Sequence, residues 1–180
     1  FNSLQSDKSL PQYNYATQQG TAPGSTFKMV TSTAGLTEGV ISTTEQILDQ
    51  GEYENISNHP KCWIYPSSHG NINVSEAIRD SCNYFFYEVG YRLSTSNYST
   101  GYNADLGISK IQEYASMYGL DEKTGIEIEE VAPKIADDFP VMAAIGQSNN
   151  SYTTVQLARY VTAVANSGTV YEYTLLDHVE

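Results

Sequence analysis

The stretch that most constrains this chain runs from Pro23 to Gly39. Pro23-Gly24 breaks whatever precedes it, the run from Ser25 to about Glu38 has no proline, and Gly39 is a natural stop, so a helix is predicted from Ser25 onward. Phe27, Met29, Val30, Ala34 and Leu36 alternate with Thr31, Ser32 and Thr33, leaving no strongly charged outer face. Such a helix needs neighbours on all sides and belongs at the centre of a fold. Ser25 and Lys28 stand three apart at its start, on one face. A serine attacks at neutral pH only with a base in reach, and a lysine serves as that base once burial favours its neutral form. The positive end of the helix dipole favours negative charge at Ser25 and pushes the lysine the same way. Ser-x-x-Lys alone is a common pattern and carries little weight by itself.

The remaining pattern supplies further helices. Asn73-Val74-Ser75-Glu76 has the form of a capping box and opens a helix through about Asp80. Phe85, Phe86, Val89 and Leu93 recur at helical spacing from Asn83, which puts Ser81-Cys82-Asn83 at a junction between two helices. An amphipathic helix is predicted from Ile108 to Tyr118, closed by Gly119, and another from Val155 to about Ala165 behind the capping box of Thr153 and Gln156. Residues 1–22 read as an extended or looping approach, 40–71 as irregular structure with Lys61-Cys62-Trp63-Ile64-Tyr65 as its best strand, and 93–105 as a surface loop. Short extended pieces are expected at Ile126 to Ile128 and from Thr169 to Leu176.

Composition narrows the function classes. The 180 residues suffice for one core, or for a large piece of one. A net charge of -12 argues against nucleic acid or an anionic membrane surface as the main partner. No stretch approaches the roughly 20 apolar residues of a membrane span, and the chain opens without a signal peptide, as if cut from something longer. Cys62 and Cys82 leave both a disulfide and two buried thiols open. His59 and His69 lack metal-ligand spacing to Cys62, and neither a metal nor another cofactor is expected. His178 lies near the end of the chain. Glu127, Glu129, Glu130, Asp137 and Asp138 are irregularly spaced and read as a solvated face. Trp63 and the tyrosines from Tyr84 to Tyr91 read as core and groove lining.

Taken in order, several segments resemble the transpeptidase domain of penicillin-binding proteins, in particular the monofunctional class B kind. Ala22-Pro23-Gly24-Ser25-Thr26-Phe27-Lys28 is similar to that family's nucleophile motif, and Ser81-Cys82-Asn83 followed by Tyr84-Phe85-Phe86-Tyr87 to its Ser-x-Asn motif. Cys62-Trp63, His69-Gly70 and Asn73 to Ala77 resemble the approach to that second motif. Tyr118-Gly119-Leu120 through Thr124-Gly125-Ile126-Glu127, and Ile145-Gly146-Gln147 with Thr153 to Gly168, resemble later segments. Two look-alikes are set aside by their place in this order: Lys123-Thr124-Gly125 precedes Ile145-Gly146-Gln147, whereas the family's Lys-Thr-Gly strand follows it, and Ser148-Asn149-Asn150 occupies the Gly-Gln-Gly position.

The resemblance implies an α+β fold of the penicillin-binding protein and β-lactamase kind. Residues 1–180 would form a partial transpeptidase domain, mainly its helical part. Much of the antiparallel sheet, including the strands before the nucleophile and the Lys-Thr-Gly strand, would lie outside it. It implies a peptidoglycan D,D-transpeptidase with Ser25 as nucleophile, Lys28 as base, Ser81 as proton relay, Asn83 as a partner of Lys28 and substrate, and Gly24, Ser25 and Asn83 as substrate-binding. No cofactor is implied. The implied partners are peptidoglycan stem peptides, β-lactams and cell-wall synthesis proteins, with no nucleic acid and with membrane contact only through a segment absent here. The implied location is the outer side of a bacterial cell membrane. The alternatives are a β-lactam sensor, a wall-binding module and a serine β-lactamase.

Overall fold

A computed structural model describes residues 2–95 and 101–177. Two short helices, α1 (Asn2–Gln5) and α2 (Tyr15–Gln18), replace the expected extended approach; Asn14 caps α2 by accepting from the Ala16 N–H. A 3-10 turn, Gly24–Phe27, then runs into α3 (Lys28–Thr37). A two-stranded antiparallel sheet, β1 (Ile47–Asp49) and β2 (Gly70–Ile72), pairs Ile47 with Ile72 and Asp49 with Gly70. The remaining helices are α4 (Val74–Arg79), α5 (Asn83–Leu93), α6 (Ala104–Met117), α7 (Pro140–Ala143) and α8 (Thr154–Ala165). Helix α5 packs against α3, α6 and α7, with α3 also on α6.

Helix α3 is central, as the lack of a charged outer face requires, with Val30, Thr31, Ser32 and Ala34 buried. Its hydroxyls are absorbed locally: Ser32 and Thr33 donate to the Lys28 and Met29 carbonyls, and Thr31 donates to the Ala144 carbonyl at 2.7 Å. Gly35 lets α5 approach, since a methyl group there would press on Val89 and Ile41. Both capping boxes form, Asn73 with Glu76 and Thr153 with Gln156. Helix α5 spans the expected residues, whereas α6 begins four residues early because Asn103 caps it at the Leu106 N–H.

Four expectations about extended or exposed structure need correction. Lys61 makes only an isolated antiparallel bridge with Glu52 and residues 63–66 form turns, with Tyr65 N–H on the Cys62 carbonyl, and the local strands lie on either side at β1 and β2. Neither 126–128 nor 169–176 is a strand: Glu127 takes the Leu175 N–H and the Thr174 hydroxyl, so these segments are tied by side chains rather than by a ladder. Glu130 is no solvated acid. It is buried and accepts from the Thr124 N–H and hydroxyl and from Gln156 Nε2, whereas Glu129, Asp137 and Asp138 stay exposed. Trp63 is 62 % exposed, unlike the buried Tyr84 and Tyr87. His178 and the middle of the 93–105 loop lie outside the described residues.

Candidate active site

Ser25 sits in the 3-10 turn rather than at the first turn of the α-helix, and Lys28 begins α3 itself. Three anchors fix that turn. The Gly24 N–H donates to the Gly146 carbonyl at 3.0 Å, Tyr160 donates to the Thr26 carbonyl at 2.8 Å, and Phe27 is fully buried and stacked on Tyr152. Gly146 is needed twice over: its φ of +72° lies in the left-handed region, and a side chain there would collide with the Gly24 carbonyl.

Ser81 arrives from the junction between α4 and α5. Asp80 ends α4 by donating its N–H to the Glu76 carbonyl; Ser81 takes a φ of +52°, and Cys82 becomes the N-cap of α5, its sulfur accepting the Phe85 N–H. A serine with positive φ is uncommon, and here the strained turn aims its hydroxyl at the nucleophile. Ser81 Oγ lies 2.9 Å from Ser25 Oγ.

Lys28 is buried and donates to three acceptors: the Ser81 carbonyl at 2.8 Å, Ser81 Oγ at 3.1 Å and Asn83 Oδ1 at 2.7 Å. These match the three protons of an ammonium group. Burial pushes its pKa down to about 8, partly opposed by the nearby Cys82 and Cys62 sulfurs. The ammonium also lies 5.5 Å from the centre of the Phe86 ring. The four residues singled out in the sequence therefore meet, with one change of route. The hydrogen-bond path from Lys28 to Ser25 runs through Ser81 Oγ, so the helical spacing alone does not make the pair.

The look-alike motifs are occupied elsewhere. The Lys123 carbonyl is held by Arg159 and Thr124 by Glu130, while Asn150 is buried and accepts the Ala136 N–H. A cavity of about 600 Å³ lies between Tyr91, Tyr102, Ile108 and Phe139, away from the four site residues.

Behind the Ser81-Cys82-Asn83 turn is a cluster that the linear spacing hid. His69 Nδ1 and Asp49 Oδ2 are 2.7 Å apart, Cys62 Sγ is 3.7 Å from His69 Nδ1, and Cys82 Sγ is 3.5 Å from Asp49 Oδ2. The sulfurs of Cys62 and Cys82 are 3.8 Å apart as free thiols. His69 Nε2 is buried without a hydrogen-bond partner. Burial works against the Asp49 carboxylate, but the N–H groups of His69 and Gly51 and the His69 ring outweigh it and hold the pKa low. The Cys82 thiol lowers Cys62 to about 6, while sharing that proton, together with burial, raises Cys82.

One ligand atom from each of Asp49, Cys62, His69 and Cys82 lies within 4.8 Å of the others. Two sulfurs, an imidazole and a carboxylate are donors of the kind that hold a thiolate-accepting divalent cation such as zinc. The expectation that these residues lack metal-binding spacing is corrected by the β1–β2 pairing, which carries Asp49 to Gly70 and so to His69. The only sequence signal was the coincidence of two cysteines with a nearby His.

The fold and motif order have known counterparts. Residues 1–180 match the family described as the penicillin binding protein transpeptidase domain. The peptidoglycan D,D-transpeptidase MrdA of Haemophilus influenzae is 27% identical over 198 residues, covering 100% of this chain and 28% of that protein. The complex between penicillin-binding protein PBP2 and MreC from Helicobacter pylori contains a chain superimposing with a TM-score of 0.83 at 23% identity, over 99% of this chain and 34% of that one. Penicillin-binding protein A of M. tuberculosis, as its imipenem acyl-enzyme complex, gives a TM-score of 0.74 at 23% identity, over 93% of this chain and 37% of that one. This chain thus spans between 28% and 37% of the length of these relatives. With the whole of its sequence matched, it belongs to the penicillin-binding protein transpeptidase family.

Proposed function

We propose that this chain is the nucleophile-bearing part of a peptidoglycan D,D-transpeptidase that cross-links stem peptides ending in D-alanyl-D-alanine and is acylated by β-lactams. The observation that carries it is the unbroken path Asn83 Oδ1, Lys28 Nζ, Ser81 Oγ, Ser25 Oγ, with every link at 3.1 Å or less and the lysine buried.

In the acylation step Lys28 acts in its neutral form. Ser25 gives its proton to Ser81 Oγ as Ser81 gives its own to Lys28 Nζ, and Ser25 Oγ bonds to the carbonyl carbon of the penultimate D-alanine. The Ser25 N–H supports the oxyanion at the start of the turn, and the matching donor belongs to the longer protein. Collapse of the tetrahedral intermediate breaks the C–N bond; Ser81 protonates the departing amine and is refilled from Lys28. A second stem peptide's amine then attacks the ester, its proton returning to Ser25 by the same path. Dividing the transfer this way gives two lower barriers instead of one. Asn83 holds the ammonium that forms transiently on Lys28 and faces the substrate amide; Gly24 lets substrate approach the turn.

In the longer protein, a Lys-Thr-Gly strand from outside residues 1–180 would hold the substrate carboxylate, and a membrane anchor would place the domain on the outer face of the cell membrane. Among the described residues no helix is long and apolar enough to cross a membrane. A cell-wall assembly protein is the expected partner, as MreC is in the Helicobacter pylori complex. The test is intact-mass analysis after exposure to a penicillin, on the longer protein and on residues 1–180. A single adduct mapping to Ser25, absent in Ser25→Ala, is expected in the longer protein; a folded longer protein without it would overturn the assignment.

A further inference from the structure

The cavity beside α5, α6 and α7 is a built feature that the acyl-transfer path leaves unused. It measures about 600 Å³ and is walled by Tyr91, Tyr102, Ile108, Pro140 and Val141, with Phe139 at its rim; Ser25, Lys28, Ser81 and Asn83 are not among its lining residues. Tyr102 stacks on Tyr91 with ring centroids 5.1 Å apart and planes 23° apart. Close packing fixes the far wall: a methyl group on Gly90 of α5 or Gly107 of α6 would press on Pro140, the first residue of α7. Phe139, one residue earlier, is 67 % exposed at a φ of +48°, a region that bulky side chains rarely adopt. The fold therefore holds an aromatic ring in water beside a preformed apolar cavity. Among the described residues that line it there is no Lys, Arg or His, whereas Asp105, Asp137 and Asp138 all contribute. Asp137 is paired with Lys134 at 3.1 Å, but Asp105 and Asp138 make no ion pair among the described residues.

We propose that this cavity docks a polypeptide segment of a partner protein, which inserts one large apolar side chain and sets a Lys or Arg against Asp105 and Asp138. The volume suits the anchor: cavities of this size enclose drug-sized groups, and aromatic side chains seated in preformed pockets dominate the energy of many interfaces. The rim selects the sign of charge. Two carboxylates without cations favour a basic segment and repel an acidic one, the more so on a chain of net charge -12. A second copy of this chain fits poorly for the same reason, with 21 acidic residues against 9 basic ones. A small organic cation would fill the cavity but leave Phe139 and Tyr102 in water, whereas the residues flanking a peptide anchor cover both. The preformed wall keeps the cost of ordering this side of the interface low.

The experiment immobilises the longer protein and selects from three synthetic peptide libraries. Each fixes Phe, Trp or Leu at the centre of otherwise randomised peptides and supplies flanks of Lys and Arg, of Gln, or of Glu. The basic library should be enriched, and its best peptides should compete with one another and bind several-fold more weakly at about 0.5 M salt. Phe139→Gly removes the ring while accepting the same φ, and Asp105→Asn removes an exposed charge. With melts like that of the parent, each should bind those peptides at least about tenfold more weakly. Equal enrichment of the Gln or Glu library, no enrichment at all, or peptides indifferent to both variants would overturn the site. Saturable binding of phenethylamine at the cavity without peptide enrichment would make it a small-ligand pocket and overturn the polypeptide occupant. Penicillin labelling is not part of the readout, so the outcome stands whether or not Ser25 is acylated.

Discussion

The two sides of the Ser81-Cys82-Asn83 turn are built differently. Its front presents Ser81 and Asn83 to Lys28, the first residue of α3, and to Ser25, three positions earlier in the 3-10 turn. Its back presents Cys82 to Asp49, His69 and Cys62, which come from a strand end, a loop and a turn spread over more than twenty residues. The front joins one short stretch of chain to one distant turn, through the hydrogen bonds of Ser81 and Asn83. The back exists only because β1 pairs with β2. A short motif can therefore hide half of its surroundings: the letters on either side of Cys82 announce the chemistry, and the middle letter announces the support.

Cutting the front should leave the back standing. Lys28→Ala is expected to slow penicillin labelling of Ser25 by about 10²–10⁴-fold, the usual worth of a positioned base. Circular dichroism should show the helices retained, since the lost group is a buried cation that costs desolvation. A collapse of the fold instead would mean that the lysine is chiefly structural. The pH profile sharpens the same point. With Lys28 near 8, the neutral base is the minor form at pH 7, so the labelling rate should climb with pH below about 8 and level off above it. A profile flat from pH 6 to 9 would remove Lys28 as the base.

Smaller effects should come from the supports. Gly146→Ala forces a side chain into the Gly24 carbonyl at a positive φ; a loss of about 1–3 kcal/mol is expected in a urea melt, with labelling reduced because the nucleophile turn must shift. Asp49→Ala strips His69 and the Cys82 thiol of their acceptor, and about 1–3 kcal/mol should be lost from stability with a smaller effect on labelling than Lys28→Ala. If Asp49→Ala matched Lys28→Ala in labelling while leaving stability intact, front and back would be one functional unit. At the bottom of the scale, Arg79→Ala removes an exposed ion pair with Asp80 beside the same turn, and neither melt nor labelling should move measurably.

Much of the site was legible because its signals are local. The Asn73–Glu76 and Thr153–Gln156 boxes and the spacing of Phe85, Phe86, Val89 and Leu93 each describe a single helix, and each helix formed; the Ser25–Glu38 run gave α3 from Lys28, behind a 3-10 turn that holds Ser25. What misled lay between helices. The apolar run Lys61 to Tyr65 has strand composition, yet its backbone groups are spent on turns and on the Gly51 carbonyl. Glu130 has the sequence context of a solvated acid, but Thr124 from the same loop and Gln156 from α8 supply it with donors.

By itself the sequence determined which residues could react and which helices would carry them, because side-chain chemistry and helical period are properties of short stretches. Only the tertiary structure decided that Lys28 reaches Ser25 through Ser81, that its burial lowers its pKa, and that Asp49, Cys62, His69 and Cys82 converge. Those depend on what packs against what: desolvation and a relay require neighbours from residues 49 to 83, and no window of the chain contains them all.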